Sequence, residues 1–127
     1  MKDNGIIRIS ETGATRNTAI DKLDYEGFLS PIVLEAFAKY MHKHRHLADG
    51  TLRDSDNWQK LFSKDYKEHR DICIKSSWRH FMDLWMEHRN FESRDGIDEA
   101  ICGLLFNVMA YYYSILLERR EFEREKK

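Results

Sequence analysis

The stretch WRHFMDLWMEH, residues 78 to 88, sets His80, Asp83 and Glu87 among Trp78, Phe81 and Trp85. At about 100° per residue on a helix, His80 and Asp83 lie one turn apart and can converge on one point. Glu87 falls with them, away from an apolar line through Ile74, Trp78, Phe81 and Trp85. An imidazole and a carboxylate so placed can hold one ligand between them. The plainer reading is a solvated helix face, and spacing alone does not choose between the two.

Three further groups carry chemistry. From Ala100 to Leu117 the chain is apolar nearly all round, yet Glu99, Gly103, Asn107 and Ser114 form one polar or small stripe. An unpaired buried Asn107 would cost about 1–3 kcal/mol, so it needs a ligand or a neighbouring helix as partner. Glu35 stands four residues before Lys39, the spacing of a surface ion pair, on a face that also carries His42. The run HKHRH at 42 to 46 puts His42 and His46 at chelating spacing, although mixed basic runs at a helix end commonly complement its dipole.

The elements that must position these groups are helices. One proline and no sustained apolar alternation leave little support for strands beyond a short one in IIRI. Residues 10 to 30 read as an extended or irregular lead-in. Ser30 followed by Pro31 marks a helix start, with an apolar face running to about residue 45. LADGTLRDSDNWQKLF is a loop with Asp-Gly and Asp-Ser turn signals. A second helix covers 65 to 89, its apolar line turned to the core, and a third covers about 97 to 120 before a charged tail that frays.

With 127 residues, the chain has room for a single core and one domain, 1–127, with 1–12 and 118–127 flexible. A net charge of −1 offers no basic excess to attract a phosphate backbone, so nucleic acid is not an expected partner. Cys73 and Cys102 match neither a disulfide framework nor a zinc motif, and the N-terminal residues show no run of signal-peptide length. The expected compartment is a reducing cytoplasm. The apolar run at 100 to 117 is slightly short for a bilayer and reads as a buried helix, so no membrane is expected, with a membrane span as the remote alternative.

The blocks DYEGFLSP, SDNWQK, WRHFMD and DEAICGLLFNV together resemble the phage dATP/dGTP diphosphohydrolase family, the MazZ type, relatives of the MazG-like all-α nucleoside triphosphate pyrophosphohydrolases. The resemblance spans about residues 13 to 117. It implies an all-α, MazG-like helical bundle completed by oligomerisation, and hydrolysis of dGTP and dATP to the monophosphate and pyrophosphate. In phages that replace adenine with 2-aminoadenine, the dGMP so formed feeds the modified-base pathway. A bacterial host cytoplasm follows if the chain is phage-encoded.

The resemblance also implies a site. The MazG-like signature is an ExxE on one helix and an ExxD on the next. Here the first slot reads HFMD, giving His80 and Asp83, while the second keeps Glu99 but has Cys102 or Gly103 where the aspartate is expected. Glu35 is the candidate extra carboxylate. These four are the expected catalytic and metal-binding residues, for Mg²⁺ or Mn²⁺, with Co²⁺ also suited to an imidazole ligand. Asn107 is expected to orient a ligand or touch phosphate. Lys22, Lys60, Arg16 and Arg79 are candidates for the phosphate charge, and Asn57 and Trp58 for reading and stacking on a purine, with a tryptophan lid on the core as the alternative. A helix apolar all round asks for cover from a second chain, so a dimer or tetramer is expected.

Overall fold

The structure is a computed structural model that describes residues 6–9, 15–18, 22–62 and 65–126. The chain falls into two compact units, Met1–Leu34 and Glu35–Lys127. In the first, β1 (Ile6–Ile9) pairs antiparallel with β2 (Thr15–Thr18), Ile6 opposite Thr18 and Ile9 opposite Thr15. IIRI is thus a strand, and its partner TRNT sits in the stretch expected to be irregular. Threonine suits a strand, but four residues without apolar alternation carry no legible period. A single helical turn, α1 (Tyr25–Phe28), follows, capped by Asp24, whose carboxylate accepts from the Gly27 amide at 3.0 Å. Residues 1–5, 10–14 and 19–21, which include most of the expected flexible N-terminus, lie outside the described residues.

Ser30 and Pro31 open α2 (Pro31–Lys43) as their order predicts: Ser30 Oγ accepts from the Val33 amide at 3.4 Å. The helix stops at Lys43, two residues short of the expected end. The expected loop that follows contains a 3-10 helix, Asn57–Phe62. Asp65 then caps α3 (Tyr66–His88) by accepting from the Glu68 amide, and Asn90, at φ 65°, carries the backbone out of it. Gly96, at φ 88°, leads into α4 (Ile97–Glu125). The fold is all-α apart from the β1–β2 hairpin.

Helices α3 and α4 lie antiparallel as a hairpin. Tyr66 donates to Glu121, Arg70 to Ser114 and Glu118, the His80 ring lies over Gly103, and Arg94 meets Asp83 just before α4 begins. The α4 seam is Ala100, Gly103, Asn107, Ala110 and Ser114, all buried and spaced by threes and fours. Small side chains let the two backbones approach, and this is the polar and small stripe visible in the sequence.

The aromatic line of α3 behaves otherwise. Trp78 is 64% exposed, and Ile74, Phe81 and Trp85 are exposed as well, so they do not hold the helix on its core. Packing decides this: the α4 seam has room for Cys73, Ser77 and His80 and supplies partners for Arg70, whereas tryptophans there would force the helices apart. Helix α4 also runs to Glu125, through the tail expected to fray. Tyr66 and Arg70 anchor that tail at Glu121 and Glu118, and its Glu and Arg residues are good helix formers. By length and composition alone α4 is long and apolar enough to cross a membrane, longer than the run read from the sequence. Its seam is nonetheless the core of unit Glu35–Lys127.

A Cβ added at Gly103 would come within 2.5 Å of the His80 ring. Gly103→Ala is expected to lower stability by about 1–3 kcal/mol, and by clearly less in a His80→Ala background. Chemical denaturation of the four proteins of this cycle checks it, and equal losses in both backgrounds would disprove the contact.

Candidate functional site

Each expected carboxylate holds a cation of its own. Glu35 is exposed and pairs with Lys39 at 3.3 Å, the surface ion pair its spacing suggested. Asp83 is buried, and Arg94 grips it with two bonds, Nη2 to Oδ2 at 2.7 Å and Nε to Oδ1 at 3.3 Å. The Arg94 guanidinium holds the Asp83 carboxyl below the usual range. Glu99 accepts from Lys43, which lowers its carboxyl, and His44 Nε2 stands 3.6 Å from its other oxygen. His80 is half-buried beside Asp83, and burial lowers its imidazole, with Arg94 and Arg79 acting in the same direction against Asp83 and Asp95. At neutral pH the ring is uncharged, the form that can accept a proton or a metal.

The four expected ligands are therefore distributed. His80 and Asp83 are neighbours on α3, Glu99 is tied to the end of α2, and Glu35 sits near the start of α2. Among the described residues, no three His, Cys, Asp or Glu side chains gather as a metal shell. Asn107 is buried and satisfied within its own helix, donating to the Gly103 carbonyl at 2.8 Å rather than to a neighbouring helix. His42 and His46 meet edge to face at 5.6 Å between ring centroids, a ring contact instead of a chelate. Cys73 and Cys102 are both free and buried.

A cleft of about 310 Å³ opens where α2, the following loop and the 3-10 helix meet α4. Asn57 and Trp58 line it from the first turn of the 3-10 helix, not from an irregular loop. Trp58 makes edge contacts with Phe106 at 5.8 Å and Tyr113 at 5.1 Å, so it packs on the core as the lid reading expects and also lines the cleft. Tyr40 forms another wall, and it also lines an adjoining hollow of about 270 Å³ that contains Lys43 and Glu99. Burial raises the Tyr40 phenol, and Glu99 adds to the effect. The aromatic cleft and the Glu99 carboxylate are thus neighbours through Tyr40 and His44.

The other expected cations scatter. Lys60 pairs with Asp54 at 3.5 Å, Arg79 is exposed on α3 near His80, Lys22 is exposed in the first unit, and Arg16 stands opposite Arg8 in the β1–β2 hairpin. Missed by the sequence reading are Arg94 and Lys43, which neutralise carboxylates, His44, which stands beside Glu99, and Arg45 and Arg53, which line the cleft. Arg94 lies in the turn NFESRDG, which has no period, so nothing in the pattern paired it with Asp83.

Fold and site together define a helical hairpin of all-α class carrying an aromatic cleft beside a tethered carboxylate. No family model, no curated protein and no solved structure matches the chain.

Breaking the Arg94–Asp83 pair gives a pH signature. A lowered folded-state carboxyl contributes stability that is present above its unfolded value, about pH 4, and is lost as pH falls through the folded value. Arg94→Met is expected to destabilise the protein at neutral pH, with the difference from wild type shrinking below about pH 4. Thermal unfolding across that range checks it; a difference that does not change with pH would assign Arg94 a role other than holding Asp83.

Proposed function

We propose that the chain hydrolyses purine deoxynucleoside triphosphates, dGTP and dATP, to the monophosphate and pyrophosphate in a metal-dependent reaction, supplying dGMP for 2-aminoadenine nucleotide synthesis in a phage. The observation that carries this reading is the Trp58 cleft, with an amide at Asn57 able to meet a base edge, next to Glu99. Its volume lies at the small end of ligand pockets, which run from about 300 Å³ upward. Beside it Lys43 supplies a positive charge suited to a triphosphate tail.

Glu35, His80, Asp83 and Glu99 do not fit Mg²⁺ or Mn²⁺ as one shell in the present arrangement, because Lys39, Arg94 and Lys43 occupy the three carboxylates. That occupancy is the specific support for a second reading, a nucleotide sensor or helical adaptor that does not turn its ligand over. Chromatography after incubation with each canonical triphosphate and the diaminopurine triphosphate, with Mg²⁺ or Mn²⁺, separates them. Release of dGMP and pyrophosphate is expected, with Mn²⁺ at least as effective as Mg²⁺. Glu99→Gln is expected to lower turnover by about two orders of magnitude or more. Saturable binding without product would establish the sensor, and neither binding nor product would leave the adaptor. Both carboxylates hold a tie of the fold, and Asp83→Asn is the poorer probe because Asp83 is buried with Arg94 while Glu99 is partly exposed.

A second copy of the chain is proposed to cover the exposed apolar face. Ile74, Trp78, Phe81 and Trp85 of α3 continue into Ile101, Val108 and Tyr112 of α4 on one side of the hairpin, across a shallow groove closed by Leu104. A two-helix face without charges along its centre is self-complementary under a two-fold axis and gives a four-helix packing. Light scattering at micromolar concentration is expected to give a mass well above 15.3 kDa, and Tyr112→Glu to reduce it to the monomer. A stable wild-type monomer would refute the assembly.

A further inference from the structure

Arg45 and Arg53 are set side by side by the loop that joins α2 to the 3-10 helix. His46 and Leu52 form an isolated antiparallel bridge, flanked by Leu47 N–H bonded to the Thr51 carbonyl at 2.9 Å. Gly50, at φ 87°, makes the turn, and the Asp49 carboxylate accepts from both the Thr51 amide and its hydroxyl. The Arg53 amide then donates to the Arg45 carbonyl at 2.8 Å, and Arg45 Nε donates to the Arg53 carbonyl at 2.7 Å. Two cationic side chains are held together by backbone geometry on the wall of the aromatic cleft.

The Arg45 Nη1 also stands 3.5 Å from His42 Nδ1, and an anion between two like charges would offset their repulsion. Among the described residues, no carboxylate lies within ion-pair distance of either guanidinium. The acid nearest in the chain, Asp54, also lines the cleft but pairs with Lys60. In this protein the carboxylates at the expected metal positions are neutralised by bases, while this pair of bases is left without an acid. Aromatic walls at Tyr40, Trp58 and Phe106 add a second requirement, a flat ring.

We infer that Arg45 and Arg53 form an anion clamp for the phosphate of a purine nucleoside monophosphate unit, its base held by the aromatic walls of the cleft. This rests on the proposed nucleotide reading and names which part of the nucleotide the cleft takes. The cleft, about 310 Å³, suits a nucleoside monophosphate and is small for a triphosphate, whose remaining phosphates would lie toward the adjoining hollow of Lys43. The clamp is part of the ground-state binding site, so the product dGMP binds the metal-free protein without hydrolysis.

Calorimetric titration of the full chain without metal, using dGMP, deoxyguanosine and inorganic pyrophosphate separately, tests the clamp. Binding of dGMP is expected, with Arg53→Gln weakening it by about ten-fold or more and leaving deoxyguanosine binding little changed. The Arg53 side chain makes none of the loop's bonds, so this variant keeps the loop; circular dichroism verifies the fold, and Arg45→Lys, which keeps the charge but loses the Nε bond, is expected to weaken dGMP less than Arg45→Gln. No dGMP binding by wild type, or equal losses for dGMP and deoxyguanosine in Arg53→Gln, overturns the clamp. Pyrophosphate release with an unchanged KM in the Arg45→Gln, Arg53→Gln double variant also overturns the clamp while leaving the hydrolase standing. A working clamp with no pyrophosphate release sinks the hydrolase instead.

Discussion

Close approach of α3 and α4 is the constraint from which the rest follows. It is possible because α4 offers Ala100, Gly103, Asn107, Ala110 and Ser114 along one line. A seam of small side chains gives little apolar burial per residue, so much of its hold must come from polar groups that are satisfied across it or within it. Ser114 accepts from Arg70 Nε at 2.7 Å and donates to the Tyr111 carbonyl at 2.6 Å, Asn107 bonds back to Gly103, and His80 fills the space over that glycine. No buried side-chain nitrogen or oxygen among the described residues lacks a partner. Of the seam's contacts, the Arg70 bonds to Ser114 and Glu118 and the His80 ring over Gly103 cross between the helices and fix their register, whereas the Asn107 and Tyr111 bonds satisfy α4 within itself.

Choosing small and polar residues for the seam has a consequence for the bulky ones. Helix α3 turns Ile74, Trp78, Phe81 and Trp85 sideways, and α4 turns Val108 and Tyr112 the same way. Large contiguous apolar patches on one face are costly to leave in water. The apolar surface open to a second copy is therefore one defined two-helix face and not the whole circumference of α4, whose opposite flank is met by Tyr40, Trp58 and the Glu99 ties.

Helix existence and order were legible from apolar periodicity, and the start of α2 also from Ser30 with Pro31, whereas the Asp65 cap of α3 emerged only in the fold and Gly96 puts no capping side chain before α4. The polar stripe on α4 was legible too. What the stripe faced was not, since period assigns residues to a side of a helix but cannot say which side meets a neighbour. The rule that apolar faces turn inward misassigned Trp78 and Phe81 because it takes the core to be apolar, and here its centre is small and polar. In the site, Asn57 and Trp58 did line a cleft, while Arg45 and Arg53 escaped notice because an eight-residue separation in a loop has no periodicity. The His46–Leu52 bridge and the two bonds between Arg45 and Arg53 join them in the fold.

The distribution of charge partners separates the groups that hold the fold from those open to a ligand. Asp83 with Arg94 closes the turn between α3 and α4, and Ser93 tightens it by donating its hydroxyl to Glu87 at 3.0 Å and accepting from the Gly96 amide at 3.1 Å. Glu99 with Lys43 and His44 fastens the end of α2 to the start of α4, which is also what forms the hollow beside Tyr40. These ties fix the walls. In the proposed site a negatively charged ligand entering the cleft would meet one guanidinium, that of Arg45, already oriented by its Nε bond to the Arg53 carbonyl, so that side chain loses little freedom on contact. A divalent cation approaching Glu99 must instead compete with an ammonium. On the proposed reading, an anion site at Arg45 and Arg53 and a cation site at Glu99 would thus lie at neighbouring points, the second already filled by the Lys43 ammonium.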